Sequence, residues 1–386
     1  MVLAQATITV VILYTAGLVG SSLRSLSDVP DGFEPANRVV ARVQLTGSAY
    51  GSHDARAQFA TRLVEALGRA PELASSGFSS TLPVGDPGWG GRFFVELPDG
   101  SLSPEPLLLN FRRVSPGYLA AMGIPLLRGR TIEARDDASQ PAVAVVSRAA
   151  ADRLWPGEDP IGKPLYRLVG GGSPTPVEVV GVAGDVMDGG YSAPPGEAVY
   201  VPFAQVSVSR MSIVVEPRGD REDALAALRG ALRAADPGLA AGNVADLASL
   251  VRQANALPRM RTILLVVFAF VALGVVALGS YGLMSQLVAS REREFALRIA
   301  LGARTSGIGV GVLKQAARVA VPGVLLGVVL AWPTGEIVRP FVFGVATHSS
   351  VITLVVAVST LTLVGLATLP PAFRAVRVKV AAHLST

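Results

Sequence analysis

Four long stretches without a charged side chain constrain the fold of this chain more than any other feature. They cover Val2–Gly20, Thr262–Ser290, Val319–Gly335 and Phe341–Phe373. A helix needs roughly 20 apolar residues to cross the ~30 Å hydrocarbon core of a membrane, and these stretches are of about that length. Charged residues are plentiful between Arg24 and Arg261. This distribution predicts a membrane protein with one large water-exposed domain.

The predicted fold class is an α-helical membrane protein with four transmembrane helices and an inserted α+β extracytoplasmic domain. Between residues 21 and 258, strand patterns such as VEVVGVAGDV at 177–186 mix with short helix patterns without strict alternation. The Ser-, Gly- and Pro-rich stretch Ser75–Gly91 is predicted to be an exposed loop. The expected boundaries are transmembrane helix 1 at 1–20, the extracytoplasmic domain at 21–258, a membrane domain at 259–386 with helices near 263–283, 313–332 and 351–369, and a cytoplasmic loop at 290–305.

Composition excludes several classes of function. Only 16% of the residues are charged, the net charge is +5, and no long Lys/Arg run occurs, so we predict membrane-proximal positive charge and no nucleic-acid partner. The chain has no cysteine, which excludes disulfides and thiolate metal sites. His53, His348 and His383 show no metal-ligand spacing, so no metal site is predicted.

No catalytic residue or cofactor site is predicted either. The segment GEDPIGK at Gly157–Lys163 has the spacing of a phosphate-binding loop, but Pro164 replaces the hydroxyl that would ligate magnesium. We interpret it as a turn between a helix and a strand. Asp136 and Asp137 are interpreted as a solvated acidic pair. The predicted spans contain no acidic residue, which argues against ion-driven transport.

The charged loop, residues 290–305, reads SREREFALRIALGART. As a helix it would place Arg291, Glu294 and Arg298 on one face, with Glu294 and Arg298 as a favourable pair worth about 0.3 kcal/mol. The residue pattern leaves two interpretations open. One is an amphipathic anchor at the membrane surface, and the other is a docking helix for a cytoplasmic partner.

Lysine and arginine in the short loops predict the topology. The charged loop and the tail after the last span are rich in basic residues, whereas the loop before the last span has only Glu336 and Arg339. Short basic loops stay in the cytoplasm, and long domains cross regardless. We therefore expect both termini in the cytoplasm, the large domain outside, and a multi-pass protein of the inner (plasma) membrane.

Several segments resemble one known family. REREFALRIALGA at Arg291–Ala303 resembles the signature loop of FtsX-like permeases of ABC transporters, of the MacB type. Four segments resemble the family's extracytoplasmic core domain: VSPGYLAAMGIPLLRGR at 114–130, PAVAVVSRAAADRLWPGEDPIGKPL at 141–165, VEVVGVAGDVMDGG at 177–190 and AVYVPFAQ at 198–205. LPPAFRAVRV at 369–378 resembles its C-terminal signature, and all the segments follow the family's order along the chain.

The resemblance implies a permease subunit of an ABC-type export or mechanotransmission complex. Such a subunit is not itself an enzyme, because ATP is hydrolysed by a cytoplasmic ABC ATPase that moves the extracytoplasmic domain. The implied partners also include a second permease copy or homologous half, a periplasmic adaptor and membrane lipid. Carried over onto the matching positions, the contact with the ATPase comprises Arg291, Glu292, Arg293, Glu294, Arg298, Leu301 and Gly302.

Two alternatives remain open at this stage. The first is a regulator that transports nothing and passes ATPase motion to a periplasmic hydrolase or a sensor kinase. The second is an inert anchored domain. The apolar run begins at Val2, where relatives often carry a preceding cytoplasmic segment, so we expect the chain to be part of a longer permease. Lys379 and Val380 stand where the family's tail commonly has an Asp-Pro pair.

Overall fold

A computed structural model of the chain describes residues 2–27, 31–84, 90–168, 172–188, 195–239, 242–254, 256–291, 294, 305–338 and 350–376. Its contacts divide the chain into two compact units. The membrane unit comprises residues 1–28 and 258–386, and the globular unit comprises residues 29–257.

The helices are, in chain order, α1 Val2–Ser27, α2 His53–Gly68, α3 Tyr118–Met122, α4 Arg148–Leu154, α5 Arg221–Ala235, α6 Leu247–Ala254, α7 Ala256–Ser290, α8 Thr305–Val338 and α9 Ser350–Val376. The strands are β1 Val39–Gln44, β2 Leu73–Ser79, β3 Gly90–Val95, β4 Leu107–Val114, β5 Leu126–Gly129, β6 Val143–Ser147, β7 Pro164–Arg167, β8 Thr175–Ala183, β9 Val186–Met187, β10 Pro195–Gly196, β11 Ala198–Pro202, β12 Arg210–Pro217 and β13 Val244–Asp246.

Among the described residues, three helices of the membrane unit are long and apolar enough to cross a membrane. Their apolar windows are Leu3–Ser21 in α1, Val266–Ser290 in α7 and Ser350–Pro371 in α9. Helix α8 also runs through the predicted third span, but its apolar part is the shorter stretch Ala320–Glu336. A helix is the form expected for such segments, because it satisfies every backbone hydrogen bond internally.

Two glycines bring α8 into close contact with α1. A Cβ atom added at Gly323 would lie 2.8 Å from the backbone oxygen of Leu3, and one at Gly327 would lie 2.7 Å from the Cβ of Val10. Thr7 Oγ1 lies 3.0 Å from the backbone oxygen of Gly323, within hydrogen-bond distance across the interface. Any side chain at these two positions would therefore push the helices apart, as at small-residue interfaces of membrane helices in general.

The order of contacts shows the relative directions of the helices. Leu3 meets Gly323, Val10 meets Gly327, and Tyr14 and Leu18 cluster with Ala331 further along both helices, so α1 and α8 are parallel.

Helices α7 and α9 run the opposite way to α1. Thr9 Oγ1 lies 3.4 Å from the backbone oxygen of Ala272 in α7, whereas the earlier Gln5 faces the later Gly279. In α9, Ile352 contacts the later α1 residue Gly17, and Val356 clusters with the earlier Val10. One end of the helix bundle therefore contains the starts of α1 and α8 and the ends of α7 and α9.

The globular unit contains a closed β-barrel. Strand pairing runs β11–β6–β8–β7–β3–β4, and β4 pairs back onto β11 in parallel, with Arg113 opposite Val201. Six strands therefore form a ring. The side chains that alternate inward fill it with one apolar cluster, which includes Phe93, Leu109, Phe111, Leu165 and Val179.

A second lobe continues from the barrel. Strands β2, β12, β1 and β13 extend the sheet beyond β4, and helices α2 and α5 pack on one face of it. Phe59 and Leu63 of α2 and Leu228 and Leu232 of α5 are fully buried there, because apolar residues recur every three or four positions. Mixed strands and helices are as predicted for an α+β domain.

The prediction of an exposed loop at Ser75–Gly91 was wrong for the residues described, and residues 85–89 lie outside them. Strand β2 covers Leu73–Ser79 and pairs with β12 on one side and β4 on the other. Its small residues serve close packing, because a Cβ atom at Gly77 would lie 2.5 Å from the Cα of Tyr118 in α3. A Ser- and Gly-rich composition thus marked a helix–strand contact, and loop composition alone could not distinguish the two.

Gly327→Val should destabilise the membrane unit by about 1–3 kcal/mol, because the added side chain overpacks the α1–α8 interface. Thermal unfolding of the full chain in detergent measures the change. Gly365→Val in α9 is the matched control, since no atom lies within 4 Å of a Cβ there. Equal stability of the two variants would contradict the described α1–α8 contact.

Candidate functional site

The charged loop, the predicted contact site for an ATPase, is described at only two of its seven predicted residues. Arg291 is exposed, and its backbone N–H donates a 3.1 Å hydrogen bond to Val288 at the end of α7. Glu294 is helical and half-buried. The other five predicted residues, Glu292, Arg293, Arg298, Leu301 and Gly302, lie outside the described residues, so the Glu294–Arg298 pair stays a prediction.

The helix ends that border the charged loop, the end of α7 and the start of α8, lie at one end of the bundle. Helix α7 ends at Ser290, and the described part of α8 begins at Thr305. Lys314 and Arg318 are exposed on α8 before its apolar part begins. Lysine and arginine at such positions can extend their charged ends towards the membrane surface. The same end of the bundle therefore carries additional positive charge beside the loop.

A buried ionic cluster lies inside the globular unit. Arg112 on β4 is 1% exposed and forms an ion pair with Asp188. Asn110, two residues earlier on the same strand, donates a 2.7 Å hydrogen bond from Nδ2 to the same carboxylate. Gly196 leaves the space for this contact, since a Cβ there would lie 2.6 Å from Asn110 Nδ2.

Tyr200 on β11 completes the ionic cluster. Its hydroxyl oxygen accepts a 3.4 Å hydrogen bond from Arg112, whose guanidinium lies 5.7 Å from the ring centroid. Burial raises the pKa of Tyr200 to about 12, because Arg112 offsets the desolvation only partly. The tyrosine therefore stays neutral, and the carboxylate of Asp188 is already paired. The cluster joins strands and has no free acid or base to offer.

The prediction that Asp136 is solvated was wrong. It is buried, and its carboxylate accepts hydrogen bonds of 2.7 and 2.9 Å from Arg130 and one of 2.8 Å from the Glu133 backbone N–H. Burial raises the pKa of Asp136, but these donors outweigh it and hold the pKa below its usual value. Asp137 is exposed, as predicted.

The segment Gly157–Lys163 is a turn between α4 and β7, as predicted. Lys163 forms an ion pair with Glu158 inside this turn. Among the described residues, no group of His, Asp and Glu side chains could hold a metal ion.

Family models match almost the whole chain. Residues 1–231 match the MacB-like periplasmic core domain, and residues 266–379 match the FtsX-like permease C-terminal domain. The chain belongs to the MacB-like family of ABC transporter permeases. The resemblance noted in the sequence is thereby confirmed, together with a transmembrane protein that carries a periplasmic-type α+β domain.

Curated relatives of this permease are longer. It is 30% identical to the macrolide export ATP-binding/permease protein MacB of Azoarcus sp. (strain BH72), over 58% of this chain and 34% of that protein. It is 29% identical to the pyoverdine export ATP-binding/permease protein PvdT of Pseudomonas putida, over 55% of this chain and 33% of that protein. The matched region thus spans about a third of these relatives.

Among solved structures, this permease is similar to the periplasmic region of MacB from Actinobacillus actinomycetemcomitans. The alignment has a TM-score of 0.38 and 16% identity, and it covers 59% of this chain and 97% of that chain.

Arg112→Met should destabilise the globular unit by about 3–5 kcal/mol, because it leaves the carboxylate of Asp188 buried without its partner. The double variant Arg112→Met with Asp188→Leu should recover most of this loss. Chemical denaturation of the full chain in detergent measures both.

Arg153→Met is the matched control, since Arg153 pairs with Glu197 at a more exposed position on the same lobe. A double variant as unstable as Arg112→Met alone would show that the ionic cluster acts through something other than charge pairing.

Proposed function

We propose that this permease transmits mechanical work in an ABC-type export complex. ATP hydrolysis in a cytoplasmic partner would move the extracytoplasmic domain, and the charged loop would receive the push. The α1–α8 interface carries the proposal. Helix α8 follows the charged loop in the chain, and α1 leads directly into the globular unit.

The parallel arrangement of α1 and α8 suits such transmission. A force on the loop acts on the start of α8, and the contacts at Gly323 and Gly327 pass it to α1 without an intervening side chain. Ala331 repeats the contact further on, against Tyr14 and Leu18. The motion would therefore travel along a rigid pair of helices, since closely packed interfaces transmit displacement with little compression.

The apolar character of the spans supports mechanical work rather than solute passage through the bundle. The apolar windows of α1, α7 and α9 contain no Asp, Glu, Lys or Arg. The buried hydroxyl of Thr360 bonds to the backbone of its own helix, and those of Thr7 and Thr9 lie within hydrogen-bond distance of backbone oxygens in α8 and α7. An ion-driven transporter would need ionisable groups at this depth.

The proposed topology follows from the apolar spans and from the basic residues of the short loops. We assign 1–20 and three further spans near 263–283, 313–332 and 351–369 to the membrane, 21–258 to the extracytoplasmic domain, and the 259–386 segment to the permease domain. Both termini and the charged loop would be cytoplasmic, in the inner membrane. The location of the loop and helix ends at one end of the bundle agrees with this orientation.

The proposed partners are a cytoplasmic ABC ATPase, a second permease copy or homologous half, and a periplasmic adaptor. Relatives named as export ATP-binding/permease proteins support export and an ATPase partner. The words macrolide and pyoverdine in those names refer to the relatives only. The contact with the ATPase would comprise Arg291, Glu292, Arg293, Glu294, Arg298, Leu301 and Gly302.

The double variant Glu294→Lys with Arg298→Glu should abolish co-purification with the cognate ATPase and leave membrane insertion intact. The charges change sign on the face that would meet the partner, whereas the apolar spans are untouched. Affinity purification from detergent-solubilised membranes measures the loss.

Glu336→Lys is the control, because Glu336 lies near the other end of α8. Unchanged co-purification of the loop variant would overturn the coupling role of the charged loop.

A further inference from the structure

One mouth of the six-stranded barrel carries two arginines on a single aromatic ring. The guanidinium carbon of Arg113 lies 4.5 Å from the centroid of Phe111, and that of Arg167 lies 5.4 Å from it. Arg113 follows Phe111 by two residues on β4, and Arg167 follows the buried Leu165 by two on β7. Since side chains alternate along a strand, both arginines share the inward side of the barrel.

The pairing register places both arginines at the same mouth. Arg167 is the last residue of β7 and pairs with Phe93 of β3, and the next residue, Leu168, donates a backbone hydrogen bond to Arg92, towards the start of β3. Arg113 is opposite Val201, near the end of β11. Helix α4 starts after Ser147, at the opposite end of β6, and its residues Ala150, Ala151 and Leu154, with the following Trp155, join the barrel core. The lumen is therefore filled from that side, and the arginines lie at the other mouth.

Neither arginine has an anionic partner among the described residues. No ion pair or side-chain hydrogen bond is made there by Arg113 or Arg167, and the Nε atoms of both are buried without a hydrogen-bond partner. By contrast, Arg130, another half-buried arginine of the globular unit, is paired with Asp136. A half-buried charge without a counter-charge is costly, and a second like charge nearby adds to the cost.

The electrostatics agree with this geometry. Burial, together with the smaller effect of the Arg167 charge, lowers the pKa of Arg113 to about 10. Burial also lowers the pKa of Arg167. Contact with the Phe111 ring compensates only part of this cost, since cation–π contacts are worth about 0.5–2 kcal/mol. The fold therefore holds two arginines in a state that a bound anion would stabilise.

We propose that Arg113 and Arg167 form an oxyanion-binding site at this barrel mouth, which takes a phosphate or carboxylate group over the platform of Phe111. The planar fork of a guanidinium matches the oxygens of such groups. Mouths of β-barrels are frequent ligand sites, because strand ends bring side chains from several strands together. This site is distinct from the charged loop and does not depend on the proposed coupling.

Thermal unfolding of the full chain in phosphatidylcholine nanodiscs tests the site. Inorganic phosphate should raise the melting temperature of the native protein by about 2 °C or more over chloride at equal ionic strength. Arg167→Gln should abolish this shift and, without phosphate, should raise the melting temperature, because one of two like charges is removed.

Arg229→Gln, on the exposed face of α5, is the matched control and should keep the native response. An Arg167→Gln variant that responds to phosphate as the native protein does, or that is less stable without it, would overturn the site. The latter outcome would show that the arginine is structural.

Nanodiscs of phosphatidylglycerol distinguish the source of the anion. A stabilisation in these nanodiscs that needs Arg167 and no added phosphate would identify a lipid headgroup as the occupant. A shift with inorganic phosphate alone would identify a soluble anion. No Arg167-dependent shift in either condition would contradict the proposal.

Discussion

The close contact of α1 with α8 is the interaction on which the rest of the membrane unit depends. In lipid, apolar side chains gain little by meeting one another, so small residues that permit backbone contact decide which helices pair. Gly323 and Gly327 supply that contact, and Thr7 adds a hydrogen bond across it. This pair connects the helix that follows the charged loop with the helix that leads into the globular unit. Mechanical coupling needs such a connection, and side-chain chemistry at the spans is not required for it.

The globular unit is built to resist deformation. Its barrel closes through the parallel pairing of β4 with β11, and the ionic cluster around Arg112 ties β4 to Asp188, which follows β9. A closed ring of strands has no free edge, and removing one partner of a buried ion pair costs several kcal/mol. Arg113 and Arg167, for which the described residues supply no anionic partner, lie at the barrel mouth, where their burial costs stability.

Patterns with a local physical cause could be predicted from the sequence. Ser147 caps α4 by accepting a hydrogen bond from the Ala150 N–H, and apolar residues recur every three or four positions on the buried faces of α2 and α5. Features that depend on residues distant in the chain, or on the fold of a loop, could not be predicted from the sequence. Gly77 looked like part of a loop because α3, which fills the space above it, is 40 residues away in the chain. Asp136 is only six residues from Arg130, but their pairing depends on how the loop between them folds. The closure of β4 on β11 has no local signal.

The distance between the two units during the ATPase cycle tests the account most directly. Since the chain has no cysteine, Ser101→Cys and Ser350→Cys permit specific labelling of one exposed position in each unit. With the cognate ATPase present, double electron–electron resonance between these labels should show a distance that changes between the nucleotide-free and ATP-trapped states. Gly327→Val should remove that change, and Gly365→Val should keep it. A folded Gly327→Val protein that retains the full change would contradict transmission through the α1–α8 contact.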